Sequence, residues 1–161
     1  MKFRRLNSEE LQELEKEFIQ FLVTHSITAP DWVKLKEEEP EKAEGLLDLF
    51  SDIVFEKVVQ NVNYLEYRTP DDIKTFHCLE GKIVLNGLRM EGQAPIDLTT
   101  DLPPAQMFQE LQKADVKLQI YTAEKTYKPD RSAELFRMLE GGAKISREGQ
   151  LFLAIEAFKG N

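Results

Sequence analysis

At 161 residues the chain has the length of one ordinary domain, which argues against a two-domain enzyme. Hydrophobic residues make up 42% and charged residues 31%, a globular composition with a heavily charged surface. Lys+Arg 21 against Asp+Glu 29 gives a net charge of −8, so a nucleic-acid partner is disfavoured without a local basic patch.

Residues 1–60 carry 8 Lys+Arg and 14 Asp+Glu, a balance of −6, and the remaining 101 residues carry only −2. Acidity therefore belongs mainly to the first third, where it would also suit an inhibitor that masks a basic protein surface. The single cysteine, Cys78, has no internal disulfide partner and fits a reducing, cytoplasmic setting. The basic opening Lys2, Arg4, Arg5 is followed at once by charged residues, so it is not a signal peptide. It is also too short for a nucleic-acid arm. The longest apolar run, Leu151–Ile155, is far below the ~20 residues that span a bilayer, and no membrane partner is expected.

The first sixty residues read as helices. Asn7 and Glu10 are spaced as a capping box, and Leu11, Leu14, Phe18, Phe21, Leu22 and His25 form one stripe, predicting a helix to about His25. Pro30 begins a short second helix that Pro40 stops. A third is expected over residues 41–61, with Leu46, Leu47, Phe50, Ile53, Val54 and Val58 inward.

Strands follow. Val62–Arg68, Ile73–Leu79 and Lys82–Met90 are separated by turn-forming residues, and Asn86-Gly87 is the strongest hairpin signal. Residues 92–104 read as loop, then a helix to about Lys113. Val116, Leu118 and Ile120 alternate as a half-buried strand. Asp130 caps a further helix closed by Gly141-Gly142, and residues 146–158 form a last helix, although Leu151, Leu153 and Ile155 also allow a strand. The fold class is α+β: an N-terminal helical layer packed on a small, mainly antiparallel sheet with three further helices, in one domain.

Chemistry-bearing motifs are sparse. Two histidines and one cysteine supply a zinc site poorly, and no Cys-X2-Cys or His-Glu-X-X-His motif occurs, so neither a metal nor another cofactor is expected. Asp71-Asp72 reads as a turn, and Asp97, Thr99, Thr100 and Asp101 as capping of the next helix. Gly141–Ser146 looks like a phosphate loop but follows a helix and lacks the required spacing. His77 and Cys78, adjacent on a strand, point to opposite faces and form no dyad. His25 is expected as a capping or a satisfied core histidine.

On the third helix, Asp48, Asp52 and Glu56 lie at about 0°, 40° and 80° around the axis, and Phe55 and Val59 fall at about −20° and 20° within that acidic sector. Two apolar residues among acids need cover, from this chain or from a partner. Asp48, Asp52, Phe55, Glu56 and Val59 are therefore a candidate interface, for a protein partner or for self-association. The alternative is a small-molecule binder or enzyme with a pocket between the sheet and the third helix, drawing on Glu66, His77, Cys78 and Arg89.

Phe18–Leu22 with Trp32-Val33, Leu49-Phe50-Ser51-Asp52-Ile53-Val54-Phe55-Glu56, Tyr64-Leu65-Glu66, Lys74-Thr75-Phe76-His77-Cys78, Ile83–Leu88, Leu135-Phe136 and Leu151-Phe152 together resemble a family of small uncharacterised bacterial cytoplasmic proteins, a domain of unknown function. The resemblance covers nearly the whole chain. It implies a single cytoplasmic domain and transfers no catalytic residue.

Overall fold

The computed structural model describes residues 1–92 and 96–159. Their backbone contacts divide into a helical unit, Met1–Gln60, and a sheet unit, Asn61–Asn161. The class is α+β, with the helices ahead of an antiparallel sheet.

The helical unit contains α1 (Ser8–Glu13), α2 (Glu15–Thr24), α3 (Ala29–Glu38) and α4 (Pro40–Gln60). The Asn7 box forms as its spacing predicts: Asn7 Oδ1 accepts from Glu10 N at 2.9 Å and Glu10 Oε1 accepts from Asn7 N at 2.9 Å. A second box, Thr28 with Asp31, opens α3. The single helix expected as far as His25 is instead two, because Leu14 leaves helical geometry at φ −102°, ψ 23°. That kink brings Leu11, Leu14 and Phe18 onto one cluster with Leu6, Phe21, Leu22 and Phe50. Phe18 anchors it, 5.0 Å from the Phe50 ring and edge-on to Trp32 at 5.2 Å. His25 takes its expected place at the end of α2, with Nδ1 2.9 Å from the Phe21 carbonyl oxygen.

Helix α4 keeps only part of its expected inward face. Ala43, Phe50, Ser51 and Val59 are buried, while Ile53 and Val58, expected inward, are 48% and 39% exposed. Leu46, Phe50 and Val54 pack inward as expected, whereas Ser51 and Val59 are buried where Ile53 and Val58 are not. One of the buried positions is polar. Ser51 is completely buried because its hydroxyl donates to the Leu47 carbonyl and accepts from Leu6 N–H, so it needs no water.

In the sheet unit, β1 (Tyr64–Thr69), β2 (Asp72–Cys78), β3 (Ile83–Met90), β4 (Leu118–Lys125) and β5 (Lys144–Ser146) form one sheet in the order β4-β3-β2-β1-β5. All four pairings are antiparallel. The Asn86-Gly87 hairpin is not formed: β3 runs straight through it, and Gly87 pairs with Tyr121 of β4. Gly87 has no side chain because the Tyr121 ring lies over it, and a Cβ there would stand 2.1 Å from Tyr121 Cζ. Asn86 is fully buried, with its Nδ2 donating to Glu156 Oε2 at 2.6 Å. The turns fall at Pro70-Asp71 and at residues 79–82, where turn-forming residues separate the expected strands.

Helices α5 (Pro104–Lys113), α6 (Arg131–Glu140) and α7 (Gln150–Lys159) complete this unit. Asp130 caps α6 as expected, accepting from Ala133 N–H. At the other end Ala143 N bonds Met138 O and Gly142 N bonds Leu139 O, with Gly142 at φ +108°, which is the Schellman stop. The last helix starts at Gln150, four residues later than expected, because Lys144–Ser146 pairs with β1 as β5. Its Leu151 and Ile155 pack with Ile73, Leu88, Met90, Leu98, Met107 and Leu111. The expected loop over 92–104 holds for its described part, and residues 93–95 lie outside the described residues. No helix among the described residues is long and apolar enough to cross a membrane.

Candidate functional site

The acidic sector of α4 is covered by the chain's own opening segment. Asp52 accepts two backbone N–H bonds, from Lys2 at 2.7 Å and from Phe3 at 2.9 Å. One turn on, Lys2 Nζ stands 3.4 Å from Glu56, and one turn back, Arg5 Nε stands 2.6 Å from Asp48. Acids at i, i+4 and i+8 line one side of a helix, and an extended basic segment laid along it meets them in turn. The Arg5 hydrogen bond holds the Asp48 carboxyl below its ordinary range. Arg4 turns the other way and grips Glu10, whose carboxyl is lowered to about 2 by that side-chain bond and by the Asn7 amide.

The two apolar residues of the sector are not left bare. Val59 is completely buried, and Phe55 is half-buried, with the Phe3 ring 6.0 Å away and the Arg4 guanidinium 4.8 Å above its face. The exposed aliphatic residues lie elsewhere on α4. Leu49 and Ile53, one turn apart, are 45% and 48% exposed, immediately round the axis from Asp52 and Glu56. On α2, Ile19 and Val23 repeat the spacing at 50% and 65%.

The four residues of the alternative pocket do not converge. Antiparallel register puts Tyr64, Glu66 and His77 on one face of the sheet, and Cys78 and Arg89 on the other. Glu66 pairs with Arg68 at 3.0 Å. His77 lies flat on Tyr64 at 4.5 Å and edge-on to Phe152 at 5.4 Å, the position of a packing ring. Cys78 is buried, and burial pushes its thiol up to about 12, so it is protonated and unreactive at neutral pH. Arg89 stands over the Tyr121 ring at 5.6 Å.

Two other groupings escape sequence reasoning because their members are far apart in the chain. On the face that carries Arg89, Tyr121 Oη donates to Asp72 Oδ1 at 2.5 Å, and Lys74 bonds both the other Asp72 oxygen and, at 3.2 Å, Tyr121 Oη. Desolvation and the Asp72 bond raise the tyrosine, so its hydroxyl keeps its proton at neutral pH. This set closes on itself as a cover for Gly87. The second grouping lies along β1 and β5, where two adjoining hollows of about 410 and 540 Å³ share Glu66, Arg68 and Asp101. Lys144 lines the first and Arg147 and Glu148 the second, so each carries both signs of charge.

Asp97 does not cap α5. It accepts from Thr99 N–H at 2.9 Å in a local turn, and Pro103, the residue before α5, makes no side-chain cap. Among the described residues no three His, Cys, Asp or Glu side chains gather as a metal ligand set.

Fold and surface together define an α+β chain made of a helical unit with an acidic, strapped helix and a five-stranded antiparallel sheet unit. A family model described as a family of unknown function (DUF6495) matches residues 1–160, and the chain belongs to that family. No curated protein and no solved structure matches it.

Proposed function

We propose that this protein is a non-catalytic protein-interaction or assembly module that works in the cytoplasm, with α4 as its contact element. The observation that carries the reading is the Leu49–Ile53 pair, two aliphatic side chains about half exposed and one turn apart on a helix whose Phe50, Val54 and Phe55 are packed or strapped. Rimmed by Asp52 and Glu56, the pair has the make-up of an interface, apolar at the centre and polar at the edge. A single buried thiol suits a reducing compartment.

Native mass spectrometry of the untagged chain from its own cells tests this against the Leu49→Glu/Ile53→Glu double variant. Both positions face solvent, so the variant should fold. The wild-type chain is expected to carry a second polypeptide that the variant loses. A complex retained by the variant would remove α4 from the account.

A second reading, a small-molecule binder, is favoured by the paired hollows around Glu66 and Arg68. Their opposed charges suit a small zwitterion better than a simple anion or cation. In the same spectra that reading expects a small-molecule adduct that Arg68→Ala removes and the α4 variant keeps.

A further inference from the structure

Within the small-molecule reading, on which this rests, we propose that the paired hollows along β1 and β5 bind an acidic α-amino acid. Their floor is already balanced in charge. Glu66 and Arg68 form an ion pair at 3.0 Å, and both side chains are only 17% exposed. A second Arg68 nitrogen donates to the Thr100 carbonyl oxygen at 3.2 Å, which ties the loop that carries Asp101 to β1. The pair therefore positions the site and leaves little net charge for a ligand to neutralise.

Three further charged side chains, Asp101, Lys144 and Arg147, have no ion-pair or hydrogen-bond partner among the described residues. Asp101 lines both hollows, Lys144 lines the first and Arg147 the second. Register puts Lys144 opposite Glu66, so both project from the same face of the sheet. Glu148, the remaining acid, is bonded to Gln150 Nε2 at 3.1 Å. One unpaired acid is thus shared between the hollows, with one unpaired cation in each. Its complement is an ammonium flanked by two carboxylates, which an α-amino acid with a carboxylate side chain supplies. A neutral amino acid meets only one of the two cations, and a dicarboxylate without nitrogen brings no cation to Asp101. Hollows of about 410 and 540 Å³ leave room for such a ligand.

Amide NMR of the full chain at about 50 mM salt, titrated in turn with L-glutamate and L-aspartate, tests the ligand class. Saturable shifts are expected at residues 66–68, 99–102 and 144–151, half-complete between about 0.1 and 1 mM for at least one of the two. Asp101→Asn removes the partner of the ammonium and should weaken binding about tenfold or more, and Lys144→Gln and Arg147→Gln should do the same for the carboxylates. All three positions are exposed, so the variants should keep the wild-type spectrum elsewhere. L-Glutamine lacks the second carboxylate and glutarate lacks the ammonium, and each should bind at least about tenfold more weakly than L-glutamate. No shift with either acidic amino acid by about 10 mM, equal binding of glutamine or glutarate, or shifts that Asp101→Asn leaves unchanged would overturn the proposal. Native mass spectra separate that failure from failure of the small-molecule reading. An adduct of another mass that Arg68→Ala removes would keep a ligand in the hollows and reject the acidic amino acid. Neither adduct nor shift would reject both.

Discussion

Replacing Gly87 by alanine is expected to destabilise the sheet unit by about 1–3 kcal/mol, the usual cost of forcing a side chain into filled space. The new Cβ would stand 2.1 Å from Tyr121 Cζ, well inside contact distance. The ring must swing away, and its hydroxyl then leaves Asp72, which is only 6% exposed and is left short of a donor. The sign reverses without the ring. In a Tyr121→Ala background the same substitution no longer meets the ring and should stabilise by about 0.5–1 kcal/mol, because glycine is a poor strand residue. Urea unfolding of the two single variants and the double variant measures this coupling. An equal loss in both backgrounds would show that Tyr121 is not the reason for glycine at 87.

The second large effect belongs to Ile155. It is fully buried on α7 among Ile73, Leu88, Met90 and Leu151, so Ile155→Ala should cost about 2–5 kcal/mol through lost burial and the cavity left behind. Leu153, two residues earlier, is 53% exposed, and Leu153→Ala should stay within about 0.5 kcal/mol. The contrast discriminates register. A strand through 151, 153 and 155 would bury all three together, and comparable losses at 153 and 155 would contradict the helix.

Those two positions also show how far the residues alone could be read. Where local chemistry acts over a few residues, the reading holds: the Asn7–Glu10 box, the Asp130 cap and the Gly141-Gly142 stop all form. Asn86-Gly87 is the opposite case. The dipeptide is a strong turn former, but tertiary packing of Tyr121, 34 residues later in the chain, gives its glycine a different use. Short β5 is invisible in the sequence because three residues, Lys144–Ser146, carry no periodicity, and only pairing with β1 defines them.

The inward face of α4 differs from apolar counting for a similar reason. Counting apolar residues turns Ile53 and Val58 inward and leaves Phe55 and Val59 among acids. Buried Ser51 is satisfied by Leu6 N–H and Leu47 C=O, contacts that apolar counting does not include. The strap over α4 is legible in part. Lys2, Arg4 and Arg5 stand out as a basic opening, and Asp48, Asp52 and Glu56 as an acidic stripe. Their mutual fit is a contact across more than forty residues, beyond the reach of any local pattern. Glu66, His77, Cys78 and Arg89 fail to converge for a simpler reason: side chains alternate across a sheet, and the pairing register divides them between its faces.

The interaction reading is tested most directly by photo-cross-linking in cells, with a photoreactive residue at position 53 and, as a control, at position 80 on the exposed β2–β3 turn. The account predicts discrete polypeptide adducts from position 53, none from position 80, and loss of the adducts when Leu49→Glu is added. No adduct at 53, or the same adducts from both positions, would contradict a contact surface on α4.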